Sequence, residues 1–160
     1  MAELGEEVER YDVDNRRRAV RGVVEILVGT PALAFGVFLV LALDVGRAGA
    51  VMFVVGIMIG GGLGVVVLGT ILAVQAVTRV GERFVLHEGG LVHSWGDRRT
   101  VALWTDVAAA VDLGKKTFLA KALGVDVRCQ ITLVDGSRVT IGPFVDGAGL
   151  LIRRVLEATA

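Results

Sequence analysis

Two long apolar runs constrain this chain more than any other feature of its sequence. They cover residues 23–43 and 48–77, and only residues 44–47 separate them. About 20 apolar residues are enough for a helix to cross the ~30 Å hydrocarbon layer of a bilayer. Both runs reach that length, and the short gap permits a tight antiparallel hairpin but no folded loop. The sequence therefore predicts a two-helix transmembrane hairpin within residues 19–78, with helices at about 19–43 and 48–77.

A cleaved signal peptide does not fit the first apolar run. The hydrophobic stretch of a signal peptide spans about 7–15 residues and follows a basic leader. Here the run is longer, and residues 1–18 before it are rich in acids as well as arginines. We therefore predict a permanent anchor. The polar N-terminal arm, residues 1–18, lacks a sustained apolar period and is expected to be mobile or loosely helical.

The distribution of arginines predicts the orientation of the hairpin. Four arginines within residues 16–21 precede the first run, and Arg79 and Arg83 follow the second. The connecting turn holds one base, Arg47, beside one acid, Asp44. Because basic residues flanking membrane helices concentrate on the cytoplasmic side, we predict a multi-pass protein of the plasma membrane. Both termini and the tail domain would then lie in the cytoplasm.

Charge balance and cysteine content exclude several classes of function. The 160 residues carry 17 basic and 17 acidic side chains, and no region is basic enough to suggest binding to nucleic acid. Cys129 is the only cysteine, so one chain can form neither an internal disulfide nor a thiolate metal site. Arginines greatly outnumber lysines, and Ala, Val and Gly are abundant, which resembles the composition of a high-GC bacterial proteome.

The second apolar run contains a repeated glycine spacing. Gly56, Gly60 and Gly64 lie four residues apart, which places them on one helix face where a second backbone can approach closely. Two partners fit this face. One is the first helix of the same chain, where Gly29 and Gly36 are also small, and the other is a second copy of the chain in a homo-oligomer.

The pattern of apolar residues changes after residue 79. Short β-like runs are separated by glycine-containing turns, and they occupy residues 84–86, 91–95, 100–104, 108–113, 127–133 and 138–141. Asp135-Gly136 predicts a two-residue hairpin turn between the last two strands. Cys129 lies on the apolar face of its strand and is expected to be buried and inert. A terminal amphipathic helix follows, with Asp146 as its predicted N-cap.

Four features of residues 79–160 together resemble a known family. They are the strand opening Gly90-Leu91-Val92, the element Trp104-Thr105-Asp106-Val107, the Asp135-Gly136 hairpin and the closing helix. This arrangement resembles the pleckstrin-homology-like (PH-like) domains that bacteria attach to membrane hairpins. The resemblance implies an α+β membrane protein, with a small β-barrel or sandwich and a C-terminal amphipathic helix. It brings no catalytic residues.

Several polar residues occupy unusual places and are candidate sites. Glu25 lies inside the first apolar run, where a carboxylate can serve as a proton or ion site. It also lies four residues after Arg21, so an ion pair near the interface is the favoured interpretation. His87 and His93 flank a predicted turn, but no third ligand is evident, and no metal or other cofactor is expected.

A second candidate site lies in the longest predicted connection of the tail. Lys115, Lys116, Phe118 and Lys121 combine positive charge with a large apolar side chain, which suits contact with anionic lipid. The alternative is an ordinary solvated loop with Phe118 packed into the barrel. Three lysines fall short of a typical polybasic cluster, so the loop is the favoured interpretation.

No catalytic motif accompanies these features. The chain has no nucleophile elbow, phosphate-binding loop, dinucleotide fingerprint or paired-carboxylate site. We therefore predict a non-enzymatic integral membrane protein, an adaptor or scaffold whose cytoplasmic PH-like module binds a protein or lipid partner. The alternative is an oligomeric small channel or transporter-like component built from the glycine-rich hairpin.

Overall fold

The computed structural model describes residues 4–42, 49–114, 117 and 126–159. The chain divides into two compact units. The helical unit is Arg16–Thr78, and the sheet unit combines the residues up to Asn15 with those from Arg79 onward. The sheet unit is therefore discontinuous in sequence, because the whole helical unit is inserted into it.

The helical unit contains two long apolar helices, as the two apolar runs predict. Helix α1 spans Asn15–Ala42 and helix α2 spans Gly49–Thr78. Both are long and apolar enough to cross a membrane, and in each only 11% of the most apolar window is buried inside the molecule. A core helix of a soluble protein buries its apolar residues. The exposure of these side chains is therefore consistent with a membrane-associated pair of helices.

The first sheet contains four antiparallel strands in the order β1-β2-β3-β4. Their bounds are Glu7–Asp12, Arg83–His87, Gly90–Trp95 and Arg98–Leu103. Strands β2 to β4 follow one another through tight turns, so their order in space repeats their order in sequence. Strand β1 pairs with β2 across the 70 residues that lie between Asp12 and Arg83.

Strand β1 occupies residues 7–12 of the polar arm, residues 1–18, which was predicted to be mobile or loosely helical, so the prediction is wrong for this segment. The segment is polar because β1 is an edge strand with one solvated face. Its inward side chains are few, but Tyr11 is 4% exposed and Val13, just after the strand, is 8% exposed. The residues of β2 that pair with β1 are distant in sequence, so local composition predicted an unstructured arm.

The second sheet has three antiparallel strands, β5-β6-β7, followed by the C-terminal helix α3. Their bounds are Val107–Asp112, Cys129–Leu133, Arg138–Ile141 and Ala148–Ala158. A single turn of 3-10 helix, Trp104–Asp106, connects β4 to β5. The strict alternation predicted for β6 is confirmed, since Cys129, Ile131 and Leu133 are buried and the residues between them are half-buried.

One apolar core joins both sheets and α3. Its fully buried side chains include Phe84 and Leu91 from the first sheet, Ile131 and Ile141 from the second, and Leu151 from the helix. An α+β fold with antiparallel sheets and a closing helix is therefore confirmed. The described strands form two sheets and do not close into a barrel.

Two local predictions need correction. The β6–β7 connection has three residues rather than two, because Leu133 N donates to Ser137 O at 2.9 Å and Gly136 N donates to Leu133 O at 2.9 Å. Gly136 takes a left-handed φ of 83°, the conformation that such a three-residue turn requires. Helix α3 begins after Gly147, and no side chain caps it, so Asp146 is not its N-cap.

Candidate functional site

The strands that precede and follow the helical unit are hydrogen-bonded to each other. Tyr11 pairs with Phe84 in the register of β1 and β2. Beyond the strands, Val13 N donates to Glu82 O at 3.0 Å, and Asn15 Nδ2 donates to Arg79 O at 2.6 Å. The residues that lead into α1 and those that leave α2 are therefore held together within the sheet unit.

A buried acid–base pair lies at this junction. Oε1 of Glu82 is 2.9 Å from Nε2 of His93, and the two side chains are 3% and 8% exposed. The Nη1 atom of Arg79 lies 3.5 Å from the same carboxylate oxygen. A buried carboxylate is costly unless it is paired, and the contacts with His93 and Arg79 offset part of the cost of placing Glu82 in the interior.

Aromatic rings surround the pair. The imidazole of His93 stacks in parallel on Phe84 at 4.2 Å, and Trp95 contacts it at 4.6 Å between ring centres. The guanidinium of Arg79 lies 5.6 Å from the centre of the Trp95 ring, within the range of a cation–π interaction. The buried pair therefore links the residue before β2 to β3 beside these rings.

The sequence analysis considered His93 only as a possible metal ligand, and it missed Glu82. The signal that could have found Glu82 is the period of two of a strand. Glu82, Phe84 and Leu86 are each two residues apart, so Glu82, just before β2, lies on the same inward side as the other two. His87 lies at the opposite end of β2, paired with Gly90, so the structure does not bring the two histidines together. Among the described residues, no group of three potential ligands could hold a metal ion.

The helices of the helical unit pack through glycines at heptad spacing. An added Cβ would lie within 3 Å of the opposite helix at each of five glycines: Gly22, Gly29, Gly36, Gly62 and Gly69. At Gly22 the nearest atom is Gly69 O, and at Gly29 it is Gly62 O. These contacts run in opposite order along the two helices, so α1 and α2 are antiparallel.

The predicted helix-packing residues lie on another face of α2. Around Gly56, Gly60 and Gly64, no described atom outside the local helix lies within 4 Å of an added Cβ. The interpretation that this face receives α1 is therefore wrong, because α2 already meets α1 through its heptad-spaced glycines. An interface with a second chain stays a prediction.

Glu25 forms the ion pair that its spacing predicts. Nε of Arg21 donates to Oε1 of Glu25 at 2.9 Å, one helical turn apart. The other carboxylate oxygen, Oε2, is buried and has no hydrogen-bond partner among the described residues. The Cβ of Glu25 lies 3.0 Å from the position of an added Cβ at Gly69, so Glu25 packs against α2.

The remaining sequence-selected residues have structural surroundings or lie outside the description. Trp104 packs against the core, and its Nε1 donates to Glu88 O at 3.0 Å. Cys129 is 0% exposed, and its burial, with a smaller effect of Asp112, raises the pKa of the thiol to about 11. The candidate lipid contacts lie outside the described residues: Lys115, Lys116, Phe118 and Lys121.

No family model, curated protein or solved structure matches the chain.

Proposed function

We propose that the chain is a non-enzymatic integral membrane protein in which the sheet unit is a cytoplasmic interaction module and the helical unit is its anchor. One observation carries this proposal. Strands β1 and β2 are neighbours in one sheet, although the whole helical unit separates them in sequence. A sheet can form only if both strands are in the same compartment, so the inserted segment must cross the membrane an even number of times.

The chain connects the two units with very few residues. Strand β1 ends at Asp12 and α1 begins at Asn15, whereas α2 ends at Thr78 and β2 begins at Arg83. In this proposal, two such short connections confine the module to the neighbourhood of the membrane, whereas a long linker would let it reach farther into the cytoplasm. This restriction suits a scaffold that presents a binding surface to partners at the membrane.

The PH-like resemblance supports an interaction module rather than an enzyme. Four antiparallel strands, then three, then a closing helix give the α+β arrangement that the resemblance implies. The arginines that flank the helices favour a cytoplasmic location for this module. Its partner in the proposal is a membrane lipid or another protein.

Site-directed labelling in intact cells tests the topology. In a Cys129→Ser background, single cysteines are introduced by Gly46→Cys, in the predicted turn, and by Val134→Cys, at a position that is 74% exposed in the sheet unit. A membrane-impermeant maleimide is expected to label the first from outside and the second only after permeabilisation. Labelling of Val134→Cys in intact cells would contradict the proposal.

Photocrosslinking in native membranes tests the adaptor role. A photoreactive residue is placed at Val134 or at Val111, both exposed in the sheet unit, or at Gly60 in α2. Adducts of defined mass from the sheet unit are expected for an adaptor. Crosslinks that join only copies of the chain through Gly60 would argue against an adaptor.

An oligomeric small channel or transporter-like component is the second candidate function. It is favoured by the open face of Gly56, Gly60 and Gly64, which the packing of α1 leaves unused. Two helices cannot enclose a pore, so this function requires several copies of the hairpin. Crosslinking that recovers only monomers from membranes would rule it out.

A further inference from the structure

The first sheet has one end that is continuous with both helices. Strand β1 ends there before α1, and β2 begins there after α2. Because the strands are antiparallel, β3 ends and β4 begins at the same end, where Trp95 pairs with Arg98 across the turn. We call Arg83, Trp95, Arg98 and Arg99 at this end the basic rim.

The geometry of the rim presents its arginines to solvent. Gly96 adopts a left-handed φ of 51° and closes a two-residue turn with Asp97, which brings β4 directly beside β3. Arg98 and Arg99 are exposed. Arg83 and Arg99 both pair with Ser94 in the strand register, so the two guanidinium groups extend from the same face of the sheet.

The charges of the rim are only partly neutralised within the sheet unit. Asp12 at this end pairs with Arg10 at 3.2 Å, and Glu82 is buried with His93. Among the described residues, no carboxylate lies within ion-pair distance of Arg98 or Arg99. The turn contributes one exposed acid, Asp97, against the three arginines of the rim, so the rim keeps an excess of positive charge.

The opposite end of the same sheet has the opposite charge. Glu6, Glu7 and Glu88 are exposed there, and Glu88 N donates to Glu6 O at 3.2 Å. Trp104 marks this end, since its backbone N donates to Gly89 O at 3.0 Å. The first sheet is thus polarised along its strands, with arginines at the end that leads into the helices and glutamates at the other.

We propose that the basic rim binds the headgroups of anionic phospholipids in the bilayer that holds the helices. The inference rests on the proposed membrane anchoring. The planar guanidinium group pairs with phosphate through two hydrogen bonds, and tryptophan favours the headgroup region of a bilayer. An anionic surface attracts the arginine end of the first sheet and repels its glutamate end, so the polarity of this sheet favours one orientation.

Quenching of tryptophan fluorescence by brominated lipids tests this contact. The full chain is reconstituted in zwitterionic nanodiscs that contain an equal fraction of brominated phosphatidylglycerol or brominated phosphatidylcholine. Trp104→Phe leaves only Trp95 at the rim, and Trp95→Phe leaves only Trp104 at the far end. Each arginine near an anionic surface changes local occupancy by roughly fivefold, so we expect at least about twofold stronger quenching of Trp95 by the anionic lipid. Trp104 should show no such preference.

Charge variants separate the rim from general attraction to the membrane. Arg98→Gln with Arg99→Gln should abolish the preference of Trp95 for the anionic lipid, and Arg98→Lys with Arg99→Lys should retain most of it. The matched control is Arg138→Gln with Arg153→Gln, which removes the same charge from two exposed positions elsewhere in the sheet unit. That control should leave the preference unchanged.

The outcomes distinguish this inference from the anchoring on which it rests. Flotation of the chain with vesicles reports anchoring, and a chain that does not float would overturn both proposals. A chain that floats but shows equal quenching by the two lipids overturns the rim alone. The rim is also overturned if the glutamine variant keeps the preference, or if the control variant loses it.

Discussion

Replacing Gly62 with alanine tests the packing of the helical unit. A Cβ at Gly62 would lie 2.7 Å from the backbone N of Leu33 and 3.0 Å from the backbone O of Gly29. Helix backbone cannot rotate aside as the end of a side chain can, so α1 and α2 must separate locally. Gly60, two residues earlier in α2, is the matched control because a Cβ there meets open space.

The comparison isolates the cost of overpacking. Both variants replace glycine by alanine in the same helix, so the gain in helix propensity, about 1 kcal/mol, is common to both and cancels. Ordinary contact begins at 3.4 Å, so the Gly62 variant requires a shift of 3.4 − 2.7 = 0.7 Å. Inserting a methylene into a packed interior typically costs about 1–3 kcal/mol. We expect Gly62→Ala to be less stable than Gly60→Ala by that amount.

Thiol labelling reads this difference in the helical unit alone. In a Cys129→Ser background, Val55→Cys places the probe in α2 at a position that is 2% exposed. When opening is fast relative to labelling, the rate in mild detergent follows the population of open hairpin. A cost of about 1–3 kcal/mol then corresponds to labelling faster by about 5- to 150-fold in Gly62→Ala than in Gly60→Ala. Equal rates, or faster labelling of Gly60→Ala, would refute packing through Gly62.

Three further predictions concern the sheet unit. His93→Leu removes the imidazole that lies 2.9 Å from the buried Glu82 carboxylate and should destabilise the unit by about 3–5 kcal/mol, whereas His93→Leu with Glu82→Leu should recover most of that loss. Urea unfolding followed by tryptophan fluorescence measures both, and an unrecovered double variant would contradict the role of the pair. Tyr11→Ala should cost about 3 kcal/mol in the same assay, since it empties a core position on β1; an unchanged midpoint would mean that β1 is detached. Burial raises the pKa of Cys129 from 9.0 to about 11, so the folded chain should react with a thiol reagent at pH 8 about 100-fold more slowly than the urea-unfolded chain, and equal rates would contradict its burial.

The two apolar helices and the alternation of β6 could be predicted from the sequence because both depend on local signals. The helices follow from long hydrophobic runs, and β6 follows from the period of two in Cys129, Ile131 and Leu133. The glycine interface was not readable in the same way. Spacings of four and of seven both place glycines on one helix face, and only the contacts show that α1 uses Gly62 and Gly69.

Long-range pairing explains what the sequence concealed. Strand β1 offers one buried apolar residue, Tyr11, with Val13 just after it, and 70 residues separate β1 from its partner β2. Glu82 would be an improbable interior residue by composition, because a carboxylate is buried only when something pairs with it. Its partner His93 is supplied by β3, so the assignment depends on a sheet register that no local pattern contains.

The helical unit lies between β1 and β2 in sequence, and this order affects how the sheet unit folds. Strand β1 cannot pair until β2 is in place, and closing a flexible loop of the 70 residues between them carries a substantial entropic cost. Packing of α1 against α2 lowers this cost, because the antiparallel contact of Gly22 with Gly69 brings the two ends of the helical unit together. The hydrogen bonds from Val13 to Glu82 and from Asn15 to Arg79 can then form between neighbouring segments. A variant that separates the helices, such as Gly62→Ala, should therefore also slow the docking of β1.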